Sequence, residues 1–279
     1  MDKWSIAAYG DPCRERGRGG PPLTSPMYEA DLSLAFELAD AAAEISVARF
    51  HRGDARVDTK PDGSPVTDVD VEIEVCLRSI VADRASGDGV TGEELGIDTQ
   101  AERRWYVDPI DGTAAFCEGS PRWGTLIGLA VDSKTVVGVV DIPLLGKRYW
   151  AAKGSGAFEN GIQLAVSQTP ALGRATVSDD YRHSIERRLK SQPLYKLSLR
   201  CGTVVPNKEY SMLAVATGRA DVALMTGGGP WDYAPFVVIV EEAGGLASDD
   251  TGSAWRGKGF LLGSNGYVHD EALDALRDG

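Results

Sequence analysis

From Trp105 to Val166 the chain repeats one pattern, a short apolar run closed by glycine, an acid or Asn-Gly, and no other stretch restricts the fold so strongly. Trp105-Tyr-Val107, Thr125 to Val131, Val136 to Ile142 and Arg148 to Ala152 read as successive strands of one sheet. Asn160-Gly161, between Ala157-Phe158 and Ile162 to Val166, is a hairpin signal, because the tight turn needs positive φ at both positions. Around this block the period changes. Leu32, Ala35, Leu38, Ala42 and Ile45 recur near a 3.6 spacing, which predicts a helix from Met27 to about Gly53. After the polar loop Lys60-Pro-Asp-Gly-Ser-Pro65, a second helix is expected from about Asp68 to Asp83, with Val71, Val75, Leu77, Ile80 and Val81 as its apolar residues. The second half alternates: strands near 175 and 197, a helix near 207 to 218, a strand at Asp221 to Met225, a helix from Asp232 to Ala243, then a short strand and helix. Helices and strands interleaved without a linker predict one layered α+β domain over 27–279. Residues 1–26, with Arg-Gly-Arg-Gly-Gly-Pro-Pro at 16 to 22, read as a flexible N-terminal tail.

Charge narrows the function. With 41 acidic and 29 basic side chains the net charge is -12, which leaves no sequence-wide footprint for a phosphate backbone, so no nucleic-acid partner is expected. No apolar run has the length of a membrane span, and the first 26 residues lack the apolar core of a secretory signal, so no membrane partner and a cytoplasmic location are expected. Cys13, Cys76, Cys117 and Cys201 form no Cys-x-x-Cys pair and read as reduced thiols. His51, His183 and His269 lie far apart, which gives little material for a Ser-His-Asp triad or a histidine-rich metal site. If the chain is an enzyme, its carboxylates carry the chemistry.

Those carboxylates gather in four pieces, each beside Gly, Thr or Pro: Pro65-Val-Thr67-Asp-Val-Asp70, Gly92-Glu93-Glu94, Asp108-Pro-Ile-Asp111-Gly-Thr113 and Trp231-Asp232. Any one alone is an ordinary solvated turn. Asp108 and Asp111, three apart across a proline at the end of a strand, can aim both carboxylates and the Ile110 carbonyl into one space. An all-oxygen pocket suits a hard divalent cation such as Mg²⁺, and two such ions can clamp the attacking and leaving oxygens of a phosphate ester.

Taken in order, Gly-Glu-Glu at 92 to 94, Asp-Pro-Ile-Asp-Gly-Thr at 108 to 113, Trp-Asp-x-Ala at 231 to 234 and Glu-Ala-Gly-Gly at 242 to 245 resemble the inositol monophosphatase family. The resemblance runs from about Met27 to the C-terminus. It implies a layered α-β-α-β-α sandwich of the inositol monophosphatase and fructose-1,6-bisphosphatase type, with lithium-sensitive, Mg²⁺-dependent phosphomonoesterase activity. In general look the bacterial histidinol-phosphate phosphatase type is nearest, through Asp58-Thr-Lys-Pro-Asp62, Ser64-Pro-Val-Thr-Asp68 and Gly87-Asp-Gly-Val-Thr-Gly-Glu-Glu94. By the same resemblance two to three Mg²⁺ ions are held: Glu93, Asp108 and the Ile110 carbonyl for the first, Asp108, Asp111 and Asp232 for the second, and Glu93 with water for the third. Asp70, Glu93 and Thr113 fall at the catalytic positions, Asp70 and Thr113 as the pair that orients the attacking water, with Glu94 behind them. Gly112 and Thr113 are expected to open a helix whose N–H groups receive the substrate phosphate. Residues 27–155 would form the metal-binding half and 156–279 the half carrying the substrate wall, and a homodimer is implied by resemblance alone.

Several positions depart from the family pattern. Ala115 stands where Asn is common, and Met225 stands where an acid grips inositol hydroxyls, seven residues before Asp232. The chain also runs a few residues longer after Gly202-Thr203, in a stretch containing Pro206-Asn-Lys-Glu209. A remodelled substrate wall is therefore expected around Arg200, Gly202, Thr203 and Met225. Histidinol phosphate heads the expected substrates, followed by an amino-sugar, cyclitol or nucleoside monophosphate, with inositol 1-phosphate as the alternative. A catalytically silent metal-binding relative is the competing class. A phospho-aspartate mechanism at Asp68-Val-Asp70 lacks the preceding apolar strand, and Gly154-Ser-Gly156 reads as a turn, not a nucleotide loop. Asp232 is expected at a helix start with Pro235 in the first turn, and Gly244-Gly245 as the cap that ends that helix.

Overall fold

The computed structural model describes residues 26–98, 101–180, 192–207, 210–257 and 260–277. The expected tail therefore falls, apart from Pro26, outside the described residues, as do 208–209 of the longer stretch. Helix α1 spans Glu29–Arg52 and stops at Gly53, whose φ of 62° lets its N–H reach back to the Arg49 and Phe50 carbonyls. A short ribbon, β1 (Val57–Thr59) and β2 (Pro65–Thr67), leads into α2 (Asp68–Arg84). Thr67 caps α2 through a reciprocal box with Asp70.

The apolar runs of the central block build one eight-stranded sheet. Its strands are β3 (Gly89–Gly92), β4 (Gly96–Ile97), β5 (Arg103–Asp111), β6 (Gly124–Val131), β7 (Lys134–Ile142), β8 (Lys147–Ala152), β9 (Ala157–Glu159) and β10 (Ile162–Gln163). The spatial order is β10-β9-β8-β7-β6-β5-β3-β4, antiparallel except for the β3 and β5 pair. The one-turn helix α3 (Thr113–Cys117) follows β5. The hairpin signal holds, with φ of 48° at Asn160 and 85° at Gly161. In the second half β11 (Thr176–Asp180), α4 (Gln192–Arg200), β12 (Thr203–Asn207), α5 (Ser211–Ala216), β13 (Val222–Met225), α6 (Pro230–Glu242), β14 (Leu246–Ser248), β15 (Leu261–Ser264) and α7 (His269–Arg277) follow. They form a five-stranded sheet of order β12-β11-β13-β15-β14.

Side-chain alternation sorts these elements into five layers. Ile127, Leu129, Val137, Val139 and Trp150 point from the large sheet to α1 and α2, whereas Leu126, Val140, Tyr149 and Ala151 point the other way, to α5 and α6. Val222, Leu224 and Leu262 face α4 and α7 on the far side of the small sheet. The order is thus α1/α2, sheet, α5/α6, sheet, α4/α7, the α-β-α-β-α sandwich expected. Helix α6 is buried from Tyr233 through Val240, as a helix apolar all round must be when sheets cover it on both faces. It lies close on the large sheet because Gly128 and Gly138 remove two side chains: a Cβ at Gly138 would stand 2.4 Å from the Pro235 carbonyl oxygen, and one at Gly128 2.7 Å from Ala234 Cβ.

Four local expectations need correction. Residue 197 lies in helix α4, not a strand, since Leu197 is buried while Leu199 is exposed, and Leu194 and Cys201 pack on its side. The helix expected near 207 to 218 is only Ser211–Ala216, because Thr203–Asn207 pair with β11. Val71 and Val75 are exposed, and the buried face of α2 is Val69, Asp70, Ile73, Glu74, Leu77 and Val81. Helix α6 begins at Pro230, so Pro235 is its sixth residue and not in the first turn, and the Trp231 carbonyl loses its helical donor. The end of α6 is as expected. Gly244, at φ of 92°, and Gly245 donate to the Glu241 and Val240 carbonyls in a Schellman arrangement.

Candidate active site

The pairing of β5 with β6 slips between Asp108 and Asp111, where three steps on β5 oppose two on β6. Such a bulge re-aims side chains and tolerates Pro109, which has no N–H to offer the ladder. The Thr125 hydroxyl fixes it by donating to the Pro109 carbonyl at 2.9 Å. Both aspartates are buried, Asp108 with 1% and Asp111 with 5% of its surface exposed. Asp232 arrives from the first turn of α6, where its Oδ2 accepts the Gly229 N–H at 2.6 Å and the helix dipole favours a negative charge. One oxygen from each of Asp108, Asp111 and Asp232 lies within 4.8 Å of the others.

Whether these residues suit a cation can be tested on Asp108. Its Oδ1 is buried and finds no hydrogen-bond partner among the described residues. Burial, and then the negative charges of Glu93, Asp111, Asp232 and Asp70, push its carboxyl well above the usual carboxylate range. Leaving such an oxygen unsatisfied costs about 1–3 kcal/mol or more, a cost that a hard divalent ion removes. An all-oxygen set of three converging carboxylates fits Mg²⁺.

Glu93 stands outside that group of three. It follows β3, and its Oε1 lies 2.7 Å from Lys60 Nζ, which also reaches Glu94 Oε1 at 2.8 Å. Lys60 is a site residue that sequence reasoning passed over as part of a polar loop. Burial raises the Glu94 carboxyl, an effect the Lys60 bond opposes.

Asp70 sits at the buried N-terminus of α2. Its Oδ2 accepts the Thr67 N–H (2.9 Å) and hydroxyl (2.5 Å), and its Oδ1 faces the Thr113 hydroxyl at 3.3 Å. That hydroxyl also lies 3.0 Å from the Ile110 carbonyl oxygen, so its single proton can go to only one of the two. Burial raises the Asp70 carboxyl and the Thr67 bonds lower it. Gly112 precedes α3 at φ of 91°, with the Arg122 carbonyl 3.1 Å from where a Cβ would be, so glycine is required there on backbone grounds.

The expected substrate wall does not come together. Met225 ends β13 and is half-buried. Thr203 begins β12, level with Thr176 and one step before the Val177 and Val222 pair, at the opposite end of these parallel strands. At about 3.3 Å per residue the two ends are roughly 13 Å apart. Arg200 and Gly202 precede Thr203 and share its end; a Cβ at Gly202 would meet the Gly173 carbonyl at 2.9 Å, which explains that glycine without a ligand. Asn207, in the longer stretch, pairs with Asp180 at the end nearer Met225. The Gly154 and Gly156 N–H groups are both taken by the Glu242 carboxylate at 2.8 Å, which leaves that loop a turn as expected.

Layers and acidic pocket together are those of a phosphoric monoester hydrolase. Residues 27–278 match the inositol monophosphatase family, and the chain belongs to it and is similar to its histidinol-phosphatase members. A histidinol-phosphatase of Mycobacterium tuberculosis is 38% identical over 260 residues, spanning 91% of this chain and 100% of the relative. The inositol-1-monophosphatase ImpA of Mycolicibacterium smegmatis is 33% identical over 268 residues, 91% of this chain and 95% of its own. Among solved structures, an inositol monophosphatase from Zymomonas mobilis superposes with a TM-score of 0.78 at 31% identity, covering 91% of this chain and 100% of that one. The family acts on small-molecule phosphate esters and is generally Mg²⁺-dependent. No helix among the described residues is long and apolar enough to cross a membrane.

Proposed function

We propose that this chain hydrolyses histidinol phosphate with two to three Mg²⁺ ions held by Glu93, Asp108, the Ile110 carbonyl, Asp111 and Asp232. The observation that carries the metal reading is the convergence of Asp108, Asp111 and Asp232 around a buried, unpartnered Asp108 oxygen. Bound Mg²⁺ supplies charge neutralisation for the phosphoryl group and makes the attacking water more acidic. The protein's own groups do the rest. Asp70 and Thr113 orient the water and take up its proton, with Asp70 held in place by Thr67. Gly112 and Thr113 receive the phosphate, and Glu94 steadies Lys60 beside Glu93. Residues 27–155 supply most of the acids and 156–279 the substrate wall, with Asp232 crossing that division.

Two observations support histidinol phosphate over inositol 1-phosphate. One is the higher identity to the histidinol-phosphatases, 38% and 36%, than to the inositol-1-monophosphatase ImpA, 33%, and the other is an apolar Met225 where an inositol-binding acid is expected. Arg200, Gly202 and Thr203 sit at the other end of the strands from Met225, so the wall is better drawn through Met225 and the glycines at 227–229. A homodimer is proposed from family resemblance. Phosphate release from histidinol phosphate, inositol 1-phosphate, an amino-sugar phosphate and nucleoside monophosphates, with and without Mg²⁺, tests the reading. Histidinol phosphate should lead the panel. Preference for inositol 1-phosphate would sink the substrate, and no Mg²⁺-dependent release from any ester would sink the reaction.

A further inference from the structure

Glu74 is a fully buried carboxylate on α2, one helical turn after Asp70, and the mechanism above makes no use of it. Its Oε2 accepts the Glu94 N–H at 2.8 Å and its Oε1 the Leu95 N–H at 3.1 Å. Arg78, one turn further along α2, donates Nε (2.9 Å) and Nη2 (2.7 Å) to the same Oε1, and Nη2 also reaches the Gly96 carbonyl at 2.5 Å. This ion pair, with Glu74 fully and Arg78 largely buried, therefore holds Glu94 and Leu95 of the turn after β3 together with Gly96, the first residue of β4. Gly92, just before Glu93, is shaped to it: a Cβ there would stand 2.1 Å from Glu74 Oε1. On the other flank Glu93 is tied to the sheet by its N–H to the Val107 carbonyl at 3.3 Å.

We infer that Glu74 is a positioning residue that, braced by Arg78 and admitted by Gly92, holds the 93–95 turn so that Glu93 is presented to the metal-binding carboxylates. The inference rests on the metal reading of the site. Two features favour this role over a purely structural one. A buried charge pair is a poor way to gain stability compared with apolar packing, and both Glu74 oxygens are used on the turn that carries Glu93 and Glu94. Asp70 and Glu74 also share a face of α2, so one helix orients both the water-positioning acid and the Glu93 turn.

Mg²⁺ binding measured by calorimetry on the full chain tests this without relying on turnover. Glu74→Gln replaces one acceptor oxygen by a donor facing the turn and should weaken Mg²⁺ binding by about 10- to 100-fold, the range found for groups that orient metal ligands. Glu74→Asp keeps the charge beside Arg78 but withdraws the carboxylate by one methylene; it should weaken Mg²⁺ binding while shifting the thermal midpoint less than Glu74→Gln does. In a Glu93→Gln background the same Glu74 substitutions should cost Mg²⁺ affinity little further, because their effect runs through Glu93. Wild-type binding with unchanged affinity in folded Glu74→Asp, or full additivity with Glu93→Gln, overturns the positioning role alone. A wild-type chain that binds no Mg²⁺ overturns the metal reading itself.

Discussion

Thr113 Oγ1 lies 3.3 Å from Asp70 Oδ1, joining the first residue of α3 to the first turn of α2. The same hydroxyl can donate to the Ile110 carbonyl instead. Were that carbonyl to hold a cation, as proposed, the Thr113 proton would go to Asp70 and a lone pair on Oγ1 would be left to accept from water. Thr113→Ala should therefore leave Mg²⁺ affinity near wild type and lower turnover by about 100-fold or more, while Thr113→Ser keeps most activity. Calorimetry beside steady-state kinetics checks both; equal turnover of Thr113→Ala and wild type would count against the assignment.

Asp108 is the most crowded of the acids, buried among like charges. Asp108→Asn removes one of those charges. Activity should fall by several orders of magnitude, yet in EDTA the thermal midpoint should rise above wild type, because the repulsion is relieved. The rise in midpoint that Mg²⁺ gives wild type should largely vanish in the variant. Differential scanning fluorimetry with EDTA and with Mg²⁺ measures both shifts, and a variant as Mg²⁺-responsive as wild type would remove Asp108 from the ligand set.

Gly138 has no room for a side chain, since the Pro235 carbonyl and Val238 both lie within 3 Å of a Cβ position. Gly138→Ala should destabilise the fold by about 1–3 kcal/mol or more. It should also weaken Mg²⁺ binding, because pushing α6 off the sheet moves Asp232. Gly87→Ala, with open space around it, is the control and should leave both quantities near wild type. Urea midpoints with calorimetry read the outcome.

His269 is buried between Ser248 Oγ, 2.9 Å from Nε2, and Ser264 Oγ, 2.8 Å from Nδ1. The Ser248 hydroxyl donates to the Asp249 carbonyl, so it accepts from Nε2–H, and Ser264 then donates to Nδ1. This arrangement suits neutral imidazole, and burial lowers the His269 pKa from 6.5, against the opposing charge of Asp270. Because the folded value lies below the unfolded one, the unfolded chain binds the extra proton first. The contribution to stability is full above about pH 6.5 and is lost as the pH falls from there through the folded value. The difference in thermal midpoint between wild type and His269→Gln should shrink steadily below pH 6.5; a constant difference from pH 7.5 to 5 would refute the neutral assignment.

The strands of the central sheet and the acids at their ends were legible because a period of two and an Asp-Pro-Ile-Asp turn are local signals. What misled was the site itself. On α2 the apolar count favoured Val71 and Val75, but the pocket and its supporting turn claim the inner face for Asp70 and Glu74, and the valines are left outside. The stripe Asp70, Glu74, Arg78, each four apart, was the signal that could have shown this. The strand expected near 197 is helical instead, and Leu194, Leu197 and Cys201 share one apolar face. Pro230 begins α6 two residues before Asp232, so placing the helix start at the acid also misplaced Pro235. The role of Lys60 and the separation of Thr203 from Met225 depend on distant pairings that no short motif records.

Asp108 and Asp111 belong to the eight-stranded sheet, whereas Asp232 belongs to the helix layer that the two sheets share. An ion held by all three would act as a rivet through the sandwich. Gaining or losing it would tighten or loosen the seating of α6 against both sheets, so metal occupancy would be felt in the hydrogen exchange of the small sheet, which contributes none of the three carboxylates.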